Sequence, residues 1–167
     1  MLLRLAEPRD AMDVARVHVR SWQAGYRGLL PDEYLDQLRA EDRAGRYDFS
    51  LREPDKPYTL VAVEKDRIRG FATTMPARDA DTHGGGELAA LYVDPDDWGR
   101  GIGAALVIAA RARLVECGLS EAILWMLAGN ARAMRFYERD GWAADGAQKT
   151  EPIWGITVQS QRYRRRL

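Results

Sequence analysis

A glycine-spaced turn that joins an apolar strand to an apolar helix has the residue types and spacing most suggestive of chemistry. The segment Leu88 to Val93 has the length of a strand, and Pro95 ends it because proline lacks the N–H that a ladder requires. The turn Gly99-Arg100-Gly101-Ile102-Gly103 follows and runs directly into the helix. A turn of this kind points unpaired backbone N–H groups at an anion, with the positive end of the helix dipole behind them. The sequence therefore predicts a site for a phosphate-bearing ligand.

Two other phosphate-binding motifs compete for this turn. The spacing Gly99-x-Gly101-x-x-Ala104 also satisfies the dinucleotide fingerprint, which requires an acidic residue about 20 residues further on. That position falls within Ile123 to Asn130, which contains no carboxylate, so this alternative is disfavoured. A P-loop requires Gly-Lys-Ser/Thr after its first glycine, and the sequence has no such residues there.

A second motif further along the chain identifies the kind of ligand. Asn130-x-x-Ala133-x-x-Phe136-Tyr137-x-x-x-Gly141-Trp142 follows the turn, and the two motifs together closely resemble the GNAT superfamily of acyl-CoA N-acyltransferases. The resemblance implies that Trp98 to Ala104 wraps the diphosphate of acetyl-CoA, with no metal required. Trp98 stands where that family usually has glutamine or arginine, so the contact expected of this stretch is the backbone one.

The resemblance also implies which groups face the rest of the cofactor. Asn130, Ala133 and Tyr137 would face the pantetheine arm and the thioester. Leu91 and Val93 would offer backbone groups to the pantetheine and pair with it almost like an additional strand. Asn130 has a second predicted role as a helix N-cap, which contributes about 1 kcal/mol.

Charged residues around the turn lead to two expectations. Arg100 lies among the glycines, where it can place a positive charge beside the phosphates. A carboxylate close to phosphate would repel it, so we expect the acidic side chains before the turn to point away; they are Asp94, Asp96 and Asp97.

Acetyl transfer to an amine benefits from a general base, for which Glu87 is the candidate. An alkyl ammonium with a pKa of about 10 is only about one part in a thousand neutral at pH 7, which adds roughly 4 kcal/mol to the barrier. Glu87 stands six residues before Val93, the spacing at which members of the similar family place a catalytic glutamate. The alternative is that Glu87 ends a glycine-rich loop and faces solvent. Strand alternation cannot decide, because that family carries a bulge in this strand.

Tyr137 is the candidate general acid, which would deliver a proton to the departing thiolate. Its reference pKa of about 10 exceeds the value of about 8.5 for a thiol, so this transfer demands close positioning. The alternative is a packed aromatic residue beside Phe136. No histidine, cysteine and aspartate group has metal-ligand spacing, and no serine or cysteine lies in a nucleophile motif. These observations favour direct attack in a ternary complex over an acyl-enzyme.

The acceptor amine is not specified by the sequence. Trp22 and Tyr26 are candidate substrate-binding residues, and Tyr34 and Met75 are further plausible ones. An aromatic lining suits a cationic amine, whether a small molecule, an aminoglycoside or a peptide N-terminus. His18 shares a helix face with Trp22 and is expected to be packed, although it could line the same pocket. The alternative to an enzyme is a coenzyme A-binding module that senses or assembles without catalysis, a possibility raised by Trp98.

Length, charge and cysteine content limit the class of protein. The 167 residues predict one domain over the whole chain, 1–167. The 25 basic and 25 acidic residues cancel, which gives no electrostatic case for nucleic acid or an anionic membrane. A lone cysteine, an arginine- and alanine-rich composition and a charged N-terminus without a signal peptide predict a cytoplasmic bacterial protein. The family resemblance adds a homodimer as a candidate assembly, because similar proteins often dimerise. Cys117, late in a helix, is expected to be buried.

The hydrophobic pattern predicts an α/β domain in which a mixed, mostly antiparallel sheet of about seven strands is flanked by about four helices, as in the similar family. The predicted strands are Leu2 to Ala6, Tyr58 to Val63, Arg67 to Met75, Leu88 to Val93, Ala122 to Leu127, Trp142 to Gln148 and Trp154 to Tyr163, with a loop around Pro152. One predicted helix begins at Pro8, and three others run from Asp32 to Leu38, from Gly101 to Cys117 and from Asn130 to Asp140. Glu41 to Leu51 is a further candidate helix.

Overall fold

The chain forms one mixed β-sheet, which confirms the predicted fold class. A computed structural model describes residues 1–51 and 53–167. Its seven-stranded sheet has the order β1-β2-β3-β4-β5-β7-β6, and neighbouring strands are antiparallel except for the parallel pair β4 and β5. The strands are β1 (Leu2–Leu5), β2 (Tyr58–Glu64), β3 (Arg67–Pro76), β4 (Gly86–Val93), β5 (Glu121–Leu127), β6 (Ala143–Ile153) and β7 (Ile156–Arg166).

Five α-helices accompany the sheet in the described residues, close to the number expected. They are α1 (Ala11–Gly25), α2 (Asp32–Gln37), α3 (Ala40–Ala44), α4 (Ile102–Glu116) and α5 (Ala131–Arg139). Pro8 opens a short 3₁₀ turn, Pro8–Asp10, and the α-helix begins only after it. The helix predicted from Glu41 to Leu51 is much shorter than expected, because the chain leaves α3 to bury Phe49 against α1 and β3.

Two further details of the prediction are wrong. Pro152 lies within β6, and the chain reverses at Trp154 and Gly155, whose φ angles are both positive. Proline is tolerated there because β6 is an edge strand, and two consecutive positive φ angles suit a tight hairpin turn. Cys117 is exposed, since α4 already ends at Glu116.

The two faces of the sheet carry separate groups of packed side chains. Leu106, Val107 and Leu114 of α4 pack on one face together with residues of β2, β3, β4 and β5. Val14 and Val17 of α1 pack on other residues of β2 and β3. None of the helices in the described parts of the chain is long and apolar enough to cross a membrane.

Candidate active site

The two parallel strands at the centre of the sheet separate shortly after they meet. β4 and β5 are paired only at Gly86 with Ala122 and at Glu87 with Ile123. From Leu88 onward β4 is paired with β3 alone, so its other edge faces an opening, which we call the interstrand cleft. An unpaired strand edge offers backbone donors and acceptors to an extended ligand.

A β-bulge lies at the point where the cleft begins. β3 pairs Thr73 with Ala90 and Thr74 with Leu88, which leaves Ala89 as an extra residue on β4. A bulge of this kind bends the strand and reverses the side-chain alternation beyond it. The bulge expected from the family resemblance is therefore present in this strand.

Glu87 is buried, and the solvent-facing alternative is wrong. Its side chain lines the cavity around the cleft and is only 4% exposed. Arg78 donates hydrogen bonds to both of its carboxylate oxygens, at 2.8 and 3.2 Å. The ion pair compensates the buried negative charge, and it also raises the pKa of Arg78.

A cavity of about 800 Å³ occupies the cleft and extends along the glycine turn and α5. Its volume lies within the range of about 300–1,000 Å³ that is usual for small-molecule sites. With the exception of Arg100, the predicted site residues line it: Trp22, Tyr26, Glu87, Leu91, Val93, Trp98, Gly99, Gly101, Ile102, Gly103, Ala104, Asn130, Ala133 and Tyr137. The further pocket candidates Tyr34 and Met75 are not among its lining residues.

The glycine turn presents backbone amides to this cavity. Gly99 and Gly101 have φ angles of +80° and +83°, which side-chain-bearing residues rarely adopt. Gly101 is the N-cap of α4 and has no side-chain cap, while Ala105 N–H is bonded to its carbonyl. The amides ahead of Ala105 belong to the first turn, where a helix provides no acceptor. They are free to bind an anionic oxygen atom.

The contacts of Arg100 beside the turn differ from the prediction. Its guanidinium is bonded to Glu64 and Asp97, so the expectation that it lies beside phosphate has no support from its contacts. Asp94 and Asp96 do not line the cavity, as expected, and Arg20 forms ion pairs with both carboxylates. Asp97 does line the cavity, but Arg69 and Arg100 both pair with it.

Trp98 contacts a cationic residue, Arg132, that the sequence analysis did not identify. The guanidinium carbon of Arg132 lies 3.3 Å from the centroid of the Trp98 ring, and both residues line the cavity. Arg132 forms no ion pair with any carboxylate of the described residues. The tryptophan at the usual glutamine or arginine position thus holds an arginine from α5. The only sequence signal was the place of Arg132 two residues after the Asn130 cap.

One backbone acceptor expected to bind pantetheine is already occupied. The carbonyl oxygen of Val93 accepts hydrogen bonds from Ser21 Oγ and from Trp98 Nε1, each at 2.8 Å. Val93 can therefore contribute its amide to a ligand but not its carbonyl. The same two bonds tie α1 and the glycine turn to the end of β4.

Tyr137 lies on α5, and its side chain packs in the core and also lines the cavity. Asn130 caps this helix as predicted, and its Oδ1 accepts a hydrogen bond from the Ala133 amide at 3.1 Å. Burial raises the pKa of Tyr137 well above its ordinary value, and Tyr92 and Asp140 act in the same direction. The phenol is therefore protonated at neutral pH, as a proton donor must be.

Aromatic rings from α1, β4 and the β6–β7 hairpin form a cluster around His18. Its ring centroid lies 4.2 Å from that of Tyr92, 4.6 Å from Trp154 and 6.0 Å from Trp22. Burial and the charge of Arg43 lower the pKa of His18 well below its usual value, so the imidazole is neutral. This aromatic cluster (His18, Trp22, Tyr92 and Trp154) confirms that His18 is packed and also places it on the cavity wall.

Comparison with known proteins assigns the chain to a family. Residues 18–142 match the Acetyltransferase (GNAT) family. Because this match covers more than half of the chain, the protein belongs to the GNAT family of acetyltransferases. The assignment also rules out the dinucleotide alternative, whose fold requires a parallel sheet.

Individual proteins show the same relationship. The uncharacterized N-acetyltransferase YuaI of Bacillus subtilis is 29% identical over 136 residues, which are 81% of this chain and 76% of that protein. Mycothiol acetyltransferase of Actinosynnema mirum is 33% identical over 150 residues, 86% of this chain and 46% of that protein. The chain thus spans about half the length of that mycothiol acetyltransferase.

A solved structure shares the fold. The PaiA N-acetyltransferase of Thermoplasma acidophilum, determined in complex with coenzyme A, superimposes with a TM-score of 0.67 at 21% identity. The superposition covers 96% of this chain and 98% of that one. This likeness concerns the fold alone.

Proposed function

We propose that the protein transfers the acetyl group of acetyl-CoA to the nitrogen of a primary amine by direct attack in a ternary complex. The observation that carries the proposal is the interstrand cleft, which joins the free amides of the glycine turn to Glu87 and Tyr137 in a single cavity. Membership of the family supports the same activity.

The residues around the cavity fit both the diphosphate and the pantetheine of acetyl-CoA. The diphosphate would be bound by the amides of Gly101, Ile102 and Gly103 and by the charge of Arg132. The pantetheine would pair with the open edge of β4 along Leu91 and the amide of Val93, beside Asn130 and Ala133. When bound, acetyl-CoA supplies an activated acyl group on a thiol leaving group.

Two side chains are proposed to move protons. In the overall reaction the C–N bond forms and the C–S bond breaks. The ammonium loses two protons: one passes through Glu87 to solvent, and the other replaces the proton that Tyr137 gives to the thiolate. Glu87 accepts a proton from the ammonium, directly or through water, while Arg78 holds its carboxylate in place. Tyr137 donates the proton of its hydroxyl toward the sulfur, which requires close approach because its pKa is raised.

A coenzyme A-binding module without catalysis is the second candidate. The observation that favours it is the pairing of both Glu87 oxygens with Arg78, because those hydrogen bonds compete with proton acceptance. Calorimetry with acetyl-CoA, followed by a thiol-release screen over diverse amines, decides between the two. Tight binding with amine-dependent thiol release supports the enzyme. Tight binding with no release by any amine supports the module, and absence of binding contradicts both.

A further inference from the structure

Arg43 is a cation on the cavity wall next to the aromatic cluster. It comes from α3, and its guanidinium carbon lies 4.2 Å from the Trp154 ring centroid and 5.7 Å from that of Tyr47. Its Nε is buried and has no hydrogen-bond partner. Stacking on aromatic rings stabilises the guanidinium but leaves its charge uncompensated.

Other arginines of this protein show why the position of Arg43 is unusual. A buried Nε without a partner also occurs in Arg69, Arg111, Arg113 and Arg165. Each of those guanidinium groups has a carboxylate oxygen between 3.0 and 3.8 Å away. Within the described residues, Arg43 forms no such ion pair, and unlike those four it faces the cavity.

The neighbouring charges on the same cavity do not compensate Arg43. Glu87 is paired with Arg78, and Glu151 is paired with Lys149 at 3.0 Å. His18, which the aromatic cluster surrounds, is neutral. An uncompensated positive charge therefore remains where α1, α3 and the β6–β7 hairpin enclose the cavity.

A second unpaired donor belongs to the same aromatic cluster, since the Trp22 and Arg43 side chains both contact the Trp154 ring. Trp22 Nε1 is buried without a partner, and the residue is 5% exposed and lines the cavity. An indole N–H and a guanidinium donate hydrogen bonds and accept none. Unpaired buried donors are costly, so a ligand group that supplies acceptor oxygens beside the aromatic cluster would lower that cost.

We propose that the acceptor amine carries an anionic group, in the first instance a carboxylate, that Arg43 binds while the amino group is presented to Glu87. The inference rests on the proposed function and specifies its substrate class. Arginine suits this task because its planar fork matches the two oxygens of a carboxylate.

The test compares the activity on each of a series of amino acids with the activity on its own carboxamide. The aminophosphonate analogue of each amino acid is also included, to distinguish recognition of a carboxylate from recognition of a phosphonate. Turnover is followed by thiol release, and binding is followed separately by the intrinsic fluorescence of the tryptophans in the presence of coenzyme A. The variants are Arg43→Gln, Arg43→Lys and, as a matched control, Arg46→Gln. Arg46 is an exposed neighbour that lies outside the cavity lining.

The wild-type protein and Arg46→Gln are expected to favour at least one amino acid over its carboxamide by about tenfold or more in kcat/KM and in affinity. Arg43→Gln should bring that ratio close to one, and Arg43→Lys should give an intermediate ratio. Equal use and equal binding of acid and amide by the wild type, or an unchanged ratio in Arg43→Gln, would overturn the inference. Arg43-dependent binding of the acid without any turnover would support the inference and contradict the proposed acetyl transfer.

Discussion

At the scale of single residues, Glu87 and Tyr137 are the groups proposed to transfer protons in the cavity. Both side chains are buried on the cavity wall, and each has a specific neighbour that affects its chemistry. Arg78 fixes the Glu87 carboxylate, while the surroundings of Tyr137 keep its phenol protonated. Substitution of each residue tests its proposed proton transfer separately from cofactor binding.

Tyr137→Phe should lower kcat by about 10²-fold or more, because general acid catalysis typically contributes 10²- to 10⁴-fold. The KM for acetyl-CoA should change little, since the ring that packs in the core is retained. Steady-state thiol release measures both constants. Tyr163→Phe, which removes a hydroxyl from a core tyrosine outside the cavity lining, is the control. Unchanged turnover in Tyr137→Phe would remove this residue from the mechanism.

Glu87→Gln should reduce kcat by roughly 10²-fold, because general base catalysis typically contributes 10²- to 10⁴-fold. The amide retains the shape of the carboxylate but cannot accept a proton. Steady-state thiol release with wild type and variant measures kcat and checks this prediction. An unchanged kcat in Glu87→Gln would show that another group accepts the proton.

At the scale of elements, β4 and α5 bring together the residues proposed to contact the cofactor. The bulge at Ala89 and the short pairing with β5 open the cleft, and α5 supplies the Asn130 cap, Tyr137 and Arg132. Trp98 links the two elements, because its indole N–H is bonded to Val93 and its ring is stacked on Arg132. The proposed diphosphate site is therefore assembled from a loop and a helix rather than from the loop alone.

Arg132→Met should raise the dissociation constant of acetyl-CoA about tenfold, since a charge-assisted hydrogen bond contributes roughly 1.5 kcal/mol or more. The salt dependence of binding should also weaken, because one cation fewer faces the diphosphate. Calorimetry at two ionic strengths measures both effects. Arg67→Met, at an exposed position on β3, should leave both unchanged. An unaltered affinity and salt dependence in Arg132→Met would contradict the proposed contact.

At the scale of the whole molecule, the neutral His18 makes folding stability depend on pH. The folded pKa of His18 is lowered well below 6.5, because the ring is buried and lies near Arg43. The unfolded chain takes up a proton near pH 6.5 that the folded protein does not bind. The stabilisation is therefore fully present above about pH 6.5 and is lost as the pH falls toward the folded pKa.

The free energy of unfolding should accordingly decrease between about pH 6.5 and pH 5, with a limiting slope from this one group of about 1.4 kcal/mol per pH unit. Urea denaturation at several pH values measures the slope. His18→Gln should remove this contribution, and His83→Gln, at the exposed histidine, should retain it. Equal slopes in the wild type and His18→Gln would contradict the prediction.

The sequence by itself determined the features that depend on neighbours along the chain. The glycine turn, the Asn130 cap and the spacing to Tyr137 are local, because positive φ angles and helix caps involve residues only a few positions apart. The alternation of apolar residues was sufficient to predict the seven strands in outline. Pro152 was misjudged because an edge strand, which tolerates proline, is defined only by the order of strands in the sheet.

The pairing of charges across the sheet and the cavity depends on how distant elements pack together. Arg78 pairs with Glu87 across a loop, Arg100 turns toward Glu64, Arg132 reaches Trp98, and Arg43 remains without a carboxylate. Long side chains can reach many partners, and packing of distant elements selects one. Sequence spacing therefore predicts where the backbone binds a ligand, whereas packing determines which side chains are left free to recognise it.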